Sequence, residues 1–233
     1  MRLDRFICKS TTFTRQQASA LILQQRVRVN GSTDVHEAFQ VHESNHITLD
    51  EKPLTARASR YLMLHKPAGF VSSNVDGRYP SLFNNIDIAD TENLHIAGRL
   101  DRDTTGLVLI TDDGRWSFNV TSPDTHCEKV YRVTLRNDIE DDAIAQLEQG
   151  MQIPGMKSPT RPAKVKVLGP KEVLLTITEG KYHQVKRMFG AVRNKVMTLH
   201  RQQIGELSLD LEVGKWRYLT PQEVSLFQPS EET

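Results

Sequence analysis

Residues 98–114 read GRLDRDTTGLVLITDDG. Leu107-Val108-Leu109-Ile110 is an unbroken apolar run of β-forming residues, bounded by Gly106 and by Asp112-Asp113-Gly114. A short run of this kind between turn residues reads as a buried central strand. Asp101 therefore lies on the loop that leads into a central strand, with Arg99 and Arg102 beside it. Two readings of the cluster stand. Asp101 or Asp103 is a turn residue paired with arginine, with Thr104 and Thr105 bonding the local carboxylate or backbone. Alternatively, one carboxylate is held there for chemistry.

Working outward, Tyr61-Leu62-Met63-Leu64 is a second apolar run, followed by His65-Lys66-Pro67-Ala68-Gly69-Phe70. Pro67 lacks a backbone donor and Gly69 tolerates positive φ, so the chain leaves this strand sharply. Val71-Ser72-Ser73 resumes extended structure. Downstream, Lys129–Leu135 alternates with period two, placing Tyr131 and Val133 on one face and Arg132 and Thr134 on the other. Residues 138–150, DIEDDAIAQLEQG, predict a helix with an acidic start and a glycine stop. Leu174–Thr178 predicts a further strand that runs into EGKYHQVKRMF at 179–189.

Net charge is only +1, so total charge points to no partner, but its distribution does. Between Gly180 and Gly205 lie Lys181, Lys186, Arg187, Arg193, Lys195 and Arg201, with no acid. Val185, Met188, Phe189 and Val192 have helical spacing. The segment predicts a helix buried on one side and cationic on the other, which suits a polyanion.

The N-terminal sixty residues read as a separate module. Leu3, Phe6 and Ile7 space a short amphipathic helix, and Thr14 with Gln17 fits a capping box for a second helix carrying Ala18, Leu21 and Ile22. RVRVNG then alternates and turns at Asn30-Gly31, and Phe39, Val41, Ile47 and Leu49 continue the strand pattern. From Met1 to Val29 the bases are Arg2, Arg5, Lys9, Arg15, Arg26 and Arg28, against the single acid Asp4. A helix start beside a basic strand face predicts a phosphate-binding surface.

The chain has 233 residues, enough for two domains of ordinary size. The expected division is a small basic module at 1–56, a linker at 57–60, a larger domain at 61–227 and a polar tail at 228–233. Cys8 and Cys127 are far apart, in no CxxC pair and no zinc-spaced cluster, so both thiols are expected to be inert in a reducing cytoplasm. The charged N-terminus has no long apolar stretch and is not expected to be a signal peptide, and no run approaches the ~20 apolar residues of a membrane span.

Two resemblances sharpen this reading. RLDRFICKSTTFTRQQASALILQQRVRVNG, in residues 2–31, resembles the S4 RNA-binding domain, with Gln25-Arg26 where the common pattern has a glycine before the first valine. HKPAGFV, GRLDRDTTGLVLITDDG, KVYRV and EGKYHQVKRMF, in that order, resemble the bacterial rRNA pseudouridine synthases, and the last segment points to their small-subunit branch. The similarity covers about residues 1–225. It implies an α+β fold: an S4-like αα-β module plus a catalytic domain on a mixed, mostly antiparallel sheet with flanking helices and the site in a cleft across the sheet. It implies an isomerase that converts a specific uridine of 16S rRNA, uridine 516, to pseudouridine by flipping the base out of its stack. Asp101 is then the catalytic carboxylate, Tyr131 the active-site tyrosine and Lys186 the basic partner, where many sister enzymes carry arginine. Asp103 falls at a variable position and is expected to be only a loop residue. RNA contacts are expected at Arg2, Arg15, Arg26, Arg28, Lys66, Arg99, Arg102, His183, Gln184 and Arg187, with Arg99 or Arg102 filling the space left by the flipped base. Neither metal nor cofactor is required, because the isomerisation involves no net redox change. The partner is 16S rRNA or a partly assembled small subunit, met by a cytoplasmic monomer. The rivals are a synthase for 23S rRNA or tRNA, and a non-catalytic S4 assembly factor.

Overall fold

The computed structural model describes residues 1–89 and 91–228; of the expected tail, 229–233 lie outside the described residues. The chain divides into two compact units, Met1–Ser59 and Arg60–Thr233.

The first unit contains α1 (Leu3–Ser10), α2 (Arg15–Leu23) and a three-stranded antiparallel sheet of β1 (Val27–Val29), β2 (Ile47–Leu49) and β3 (Lys52–Pro53). Leu3, Ile7, Ala18, Leu21, Ile22, Val27, Val29 and Ile47 form its core. The capping box of α2 is present in both directions between Thr14 and Gln17. Asn30-Gly31 makes a two-residue turn with φ of 50° and 86°, closed by Val29 and Ser32 bonding each other's carbonyls. The return pairing stops there, however. Residues 33–46 wander before β2, so Phe39 and Val41 are not strand residues, although Val41 is buried against the core.

Asp4 is the polar hinge of this unit. It is fully buried and accepts from Arg2 Nε and Nη2, Arg15 Nε and the Arg5 amide. Burial pushes its carboxyl up, but the hydrogen bonds from Arg2 and Arg15 outweigh this and hold it below the usual carboxylate range. Arg2 and Arg15 therefore have a structural task, and Arg26 faces Asp50 in a two-point pair. Among the expected phosphate-binding residues, Arg28 is exposed and without an ion-pair partner in the described residues.

The second unit is built on β4 (Tyr61–Lys66), β5 (His95–Ala97), β6 (Thr105–Thr111), β7 (Lys129–Leu135), β8 (Lys164–Gly169), β9 (Glu172–Ile177), β10 (Val196–Ile204), β11 (Leu207–Ser208) and β12 (Trp216–Tyr218). The sheet order is β12-β4-β6-β10-β7-β9-β8, with β5 on β6 and β11 on β10. Its named strand pairs are antiparallel except β6 with β10. The helices are α3 (Gly114–Thr121), α4 (Asp141–Gln149), α5 (Gln184–Ala191) and α6 (Pro221–Ser225). Helix α4 begins at Asp141, three residues later than expected from its acidic start, because Glu140 is the extended N-cap.

The apolar runs have a direct physical cause. Leu62, Leu64, Val108 and Ile110 point into a core shared with α4 and α5, while Met63, Leu107 and Leu109 point into a second core with Trp116 and Val120 of α3. Covered on both faces, these strands need apolar residues at every position rather than every second one. Each such side chain contributes roughly 1.5–3 kcal/mol. Burial also pushes both thiols up, which disfavours the reactive thiolate.

Candidate active site

The loop between β5 and β6 carries Asp101 and is clamped from several sides. Lys66, the last residue of β4, is fully buried and donates to the carbonyls of Pro67 (3.0 Å), Arg102 (3.2 Å) and Thr104 (2.8 Å). The Gly69 amide donates to the Arg102 carbonyl at 2.8 Å, with Gly69 at φ +98°. Ser72 Oγ donates to the Leu100 carbonyl (2.8 Å) and accepts from the Leu100 amide (3.0 Å). Inside the loop, the Thr104 amide closes a turn on the Asp101 carbonyl at 3.1 Å. The HKPAGFVSS stretch is thus the brace of the GRLD stretch. The expectation that Lys66 contacts RNA is corrected, because its ammonium is enclosed by backbone. Burial brings its pKa down to about 8, despite the nearby charges of Asp103 and Asp101.

Asp101 faces an open cavity of ≈ 640 Å³ whose wall includes Arg99, Tyr131, His183, Lys186 and Arg201. Lys186 Nζ donates to Asp101 Oδ2 at 3.1 Å and to Asp103 Oδ1 at 2.6 Å. Asp103 is therefore more than a loop residue, since it shares the ammonium. Burial pulls Lys186 down, but the hydrogen bonds to Asp103 and Asp101 outweigh it and raise it above the ordinary lysine range. Burial likewise raises the Asp103 carboxyl, and Lys186 more than reverses this. His183 Nε2 stands 3.4 Å from Asp101 Oδ1. His183 adopts φ +51° at the head of α5, with its Nε2 beside the carboxylate. Its ring stacks on that of Tyr182, centroids 3.8 Å apart, and Tyr182 is 74% exposed at the cavity rim.

Tyr131 lies on the cavity-facing side of β7 and is almost wholly buried. Directly across the ladder from it is Arg201 of β10, which is itself opposite Gly106 of β6. Arg201 is 2% exposed, so it does not belong to the cationic surface expected at 180–205. Its guanidinium donates to the Leu107 carbonyl (2.8 Å), the Gly98 carbonyl (2.7 Å) and the Tyr131 hydroxyl (3.3 Å). Two motif glycines make room for it. A Cβ on Gly106 would fall 2.2 Å from the Arg201 carbonyl oxygen, and one on Gly98 would meet the guanidinium at 3.7 Å; both glycines hold positive φ.

Other expected contacts divide. Arg99 is exposed on the cavity wall with no ion-pair partner among the described residues. Arg102 is exposed and stacks on the Tyr79 ring at 4.2 Å. Gln184 is buried and donates to Glu179 while accepting from the Lys181 amide, so it is a support for the head of α5 rather than an RNA contact. Arg187 donates to the Pro154 carbonyl. Thr104 and Thr105 do not bond the carboxylate: the Thr104 hydroxyl has no hydrogen-bond partner among the described residues, and that of Thr105 meets His200 Nδ1 at 2.9 Å. Among the described residues, no cluster of three or more His, Cys, Asp or Glu has the arrangement of a metal site, and no helix is long and apolar enough to cross a membrane.

A carboxylate kept beside a cation, on a cavity with a phenol in its wall, is matched by relatedness. The family model for RNA pseudouridylate synthase matches residues 60–191. The chain belongs to the RNA pseudouridylate synthase family. Relatives include ribosomal small subunit pseudouridine synthase A of Vibrio parahaemolyticus, 48% identical over 96% of this chain and 98% of that protein. The protein of the same name from Escherichia coli is 45% identical over 97% and 99%. A crystal structure of a pseudouridylate synthase superposes with a TM-score of 0.72 at 45% identity, over 98% of this chain and 100% of the other. In this synthase, then, Asp101 and Lys186 stand 3.1 Å apart, and Arg201 lies in the cavity wall although the sequence reading placed it on a cationic surface. The missed signal was present in β10: Leu199 and Arg201 are two apart, so the burial of one predicts that of the other.

Proposed function

We propose that this synthase converts uridine 516 of small-subunit ribosomal RNA to pseudouridine, with Asp101 as the catalytic carboxylate. The observation that carries the reading is the Asp101 carboxylate on an open cavity, 3.1 Å from the Lys186 ammonium. A nearby cation favours the ionised carboxylate that the chemistry needs. The ionised group either adds to the electron-poor sugar carbon C1′ or removes a neighbouring proton while the bond to N1 breaks. The ring turns, C5 joins C1′, and the proton on C5 leaves to the phenol oxygen of Tyr131.

The target base has to leave its stack, which costs a few kcal/mol. Arg99 is the better placed of the two arginines to occupy the gap, because Arg102 is already engaged with Tyr79. The exposed ring of Tyr182 offers a stacking face for a base at the rim. The first unit, through Arg28 and the exposed donors of Arg15, holds RNA phosphates in the manner of an S4 domain, and the protein works as a cytoplasmic monomer. Neither a metal nor a cofactor takes part. The substrate is tested by incubating the protein with transcripts of 16S rRNA, 23S rRNA and tRNA, and with a partly assembled small subunit, and mapping pseudouridine in each. Modification at one position of the 16S transcript is expected. Modification confined to 23S rRNA or tRNA would overturn the substrate assignment, and none in any transcript or in a partly assembled small subunit would favour a non-catalytic assembly factor.

A further inference from the structure

Arg201 is a costly residue to place where it is. It is 2% exposed, permanently charged, and faces two carbonyls and a phenol with no carboxylate partner among the described residues. A cation enclosed without a counter-ion is a poor device for stability, since an apolar residue of similar volume often serves as well. The fold nevertheless accommodates it with two glycines in the positive-φ region, one on each side of the Asp101 loop. The acceptors themselves are informative. The Gly98 carbonyl opens the loop, the Leu107 carbonyl follows its end, and the Tyr131 hydroxyl belongs to the neighbouring strand. One planar group therefore fixes the phenol relative to both ends of the segment that carries Asp101.

The geometry points to Arg201 as the positioning residue that enables Tyr131 to take the C5 proton. This rests on the role given to Tyr131 above. The Nη1–H donated to the phenol oxygen occupies one of its lone pairs, so the phenol's own hydrogen and its remaining lone pair are turned elsewhere. When C1′ has been joined to C5, the C5–H bond breaks and its proton goes to the phenol oxygen. The electron pair forms the C5–C6 double bond, and the former C6–N1 π pair moves onto N1. The phenol first gives its own hydrogen to water in the open cavity, so the oxygen that takes the C5 proton is a phenolate; N1 takes a proton from water, and the step is neutral overall. Negative charge is thus carried transiently by the phenol oxygen before the transfer and by N1 after it. A fixed cation in a site of low dielectric stabilises it without having to reorganise. The charge of Arg201 is thus used at this step and not in binding uridine.

The test compares parent, Arg201→Met, Arg201→Lys and Tyr131→Phe on a 16S rRNA transcript carrying uridine with hydrogen or deuterium at C5. A second transcript carries 5-fluorouridine, which has no C5 proton to lose. Arg201→Met is expected to lower kcat about 10²–10³-fold with KM little changed. The C5 isotope effect on kcat should rise above the parent's, while cleavage and rejoining of 5-fluorouridine proceed at nearly the parent's rate. Arg201→Lys keeps the charge but not the fork; it should lie between, again with a raised isotope effect. Equal losses on both transcripts, or an isotope effect at the parent's value in a folded variant of lowered kcat, would overturn the proposal by showing a merely architectural arginine. If Arg201→Met does not fold, Arg201→Lys decides by the same isotope effect. Tyr131→Phe separates the two claims. Full activity in Tyr131→Phe would remove the tyrosine's role, whereas a slow Tyr131→Phe beside a fast Arg201→Met would remove only the arginine's.

Discussion

At the scale of single residues, the site is a set of charges whose neighbours decide what they do. Lys186 is held above the ordinary lysine range because two carboxylates share it, so its ion pair with Asp101 persists throughout the neutral and mildly alkaline range. Lys66 is the opposite case. Its folded pKa is about 8, below its ordinary 10.5, because burial disfavours the ammonium. Between those values the unfolded chain binds more protons than the folded one, so stability rises with pH through this window. The cost of the buried charge is fully present below about pH 8 and is relieved toward pH 10.5. Against Lys66→Met, the parent should therefore gain roughly 1.4 kcal/mol per pH unit above pH 8, measured by urea unfolding at several pH values. A difference that is flat or falls with pH would show that the lysine is not held as a strained cation. Asp101, Tyr131 and Lys186 are singled out through the family resemblance of GRLD, KVYRV and HQVK, and the structure places all three on the wall of one cavity. Arg201, Asp103 and the true place of Lys66 could not be read from the sequence, because their meaning lies in partners 70 to 103 residues away for the first two, and 36 and 38 for the third.

At the scale of elements, the sequence was most informative where one element is buried on both faces. The runs at 61–66 and 105–111 state their own role, since few other environments accept so many consecutive apolar residues. It was least informative at boundaries and in the loop-rich part of the first unit. There the Asn30-Gly31 turn predicts a hairpin that the structure starts and then abandons, because residues 33–46 intervene. The register of β6 with β10 is what makes Gly106 indispensable. Gly106 is at φ +112°, and a Cβ would collide with the Arg201 backbone at 2.2 Å. Gly106→Ala should lower stability by at least about 2 kcal/mol, seen as a drop in urea midpoint with an unchanged slope. A neutral Gly106→Ala would mean that the two strands approach less closely than described.

At the scale of the whole molecule, net charge is uninformative and local charge is not. Several cations that look available in the sequence are engaged within the fold: Arg2 with Asp4, Arg26 with Asp50, Lys181 with Glu179, and Arg201 inside the core, while Arg15 gives only its Nε to Asp4. Those left for RNA include Arg28, Arg99, Arg193 and Lys195. If about four phosphates are neutralised, raising salt from 50 to 200 mM should weaken binding of the rRNA transcript roughly fiftyfold on the single-strand slope. A nearly flat response, read by filter binding or fluorescence anisotropy, would indicate solvated surfaces rather than a phosphate track.

The proposed reaction depends most on the carboxylate at 101, and Asp101→Asn tests it with the least disturbance. The amide keeps the shape, and Lys186 keeps Asp103 as a partner at 2.6 Å, so the loop retains its brace. The measurement is tritium release from 5-tritiated uridine in the 16S transcript, taken beside the Kd for the same RNA. Loss of release by at least about a thousandfold with unchanged Kd is predicted. Release at the parent's rate by a folded Asp101→Asn would contradict the account.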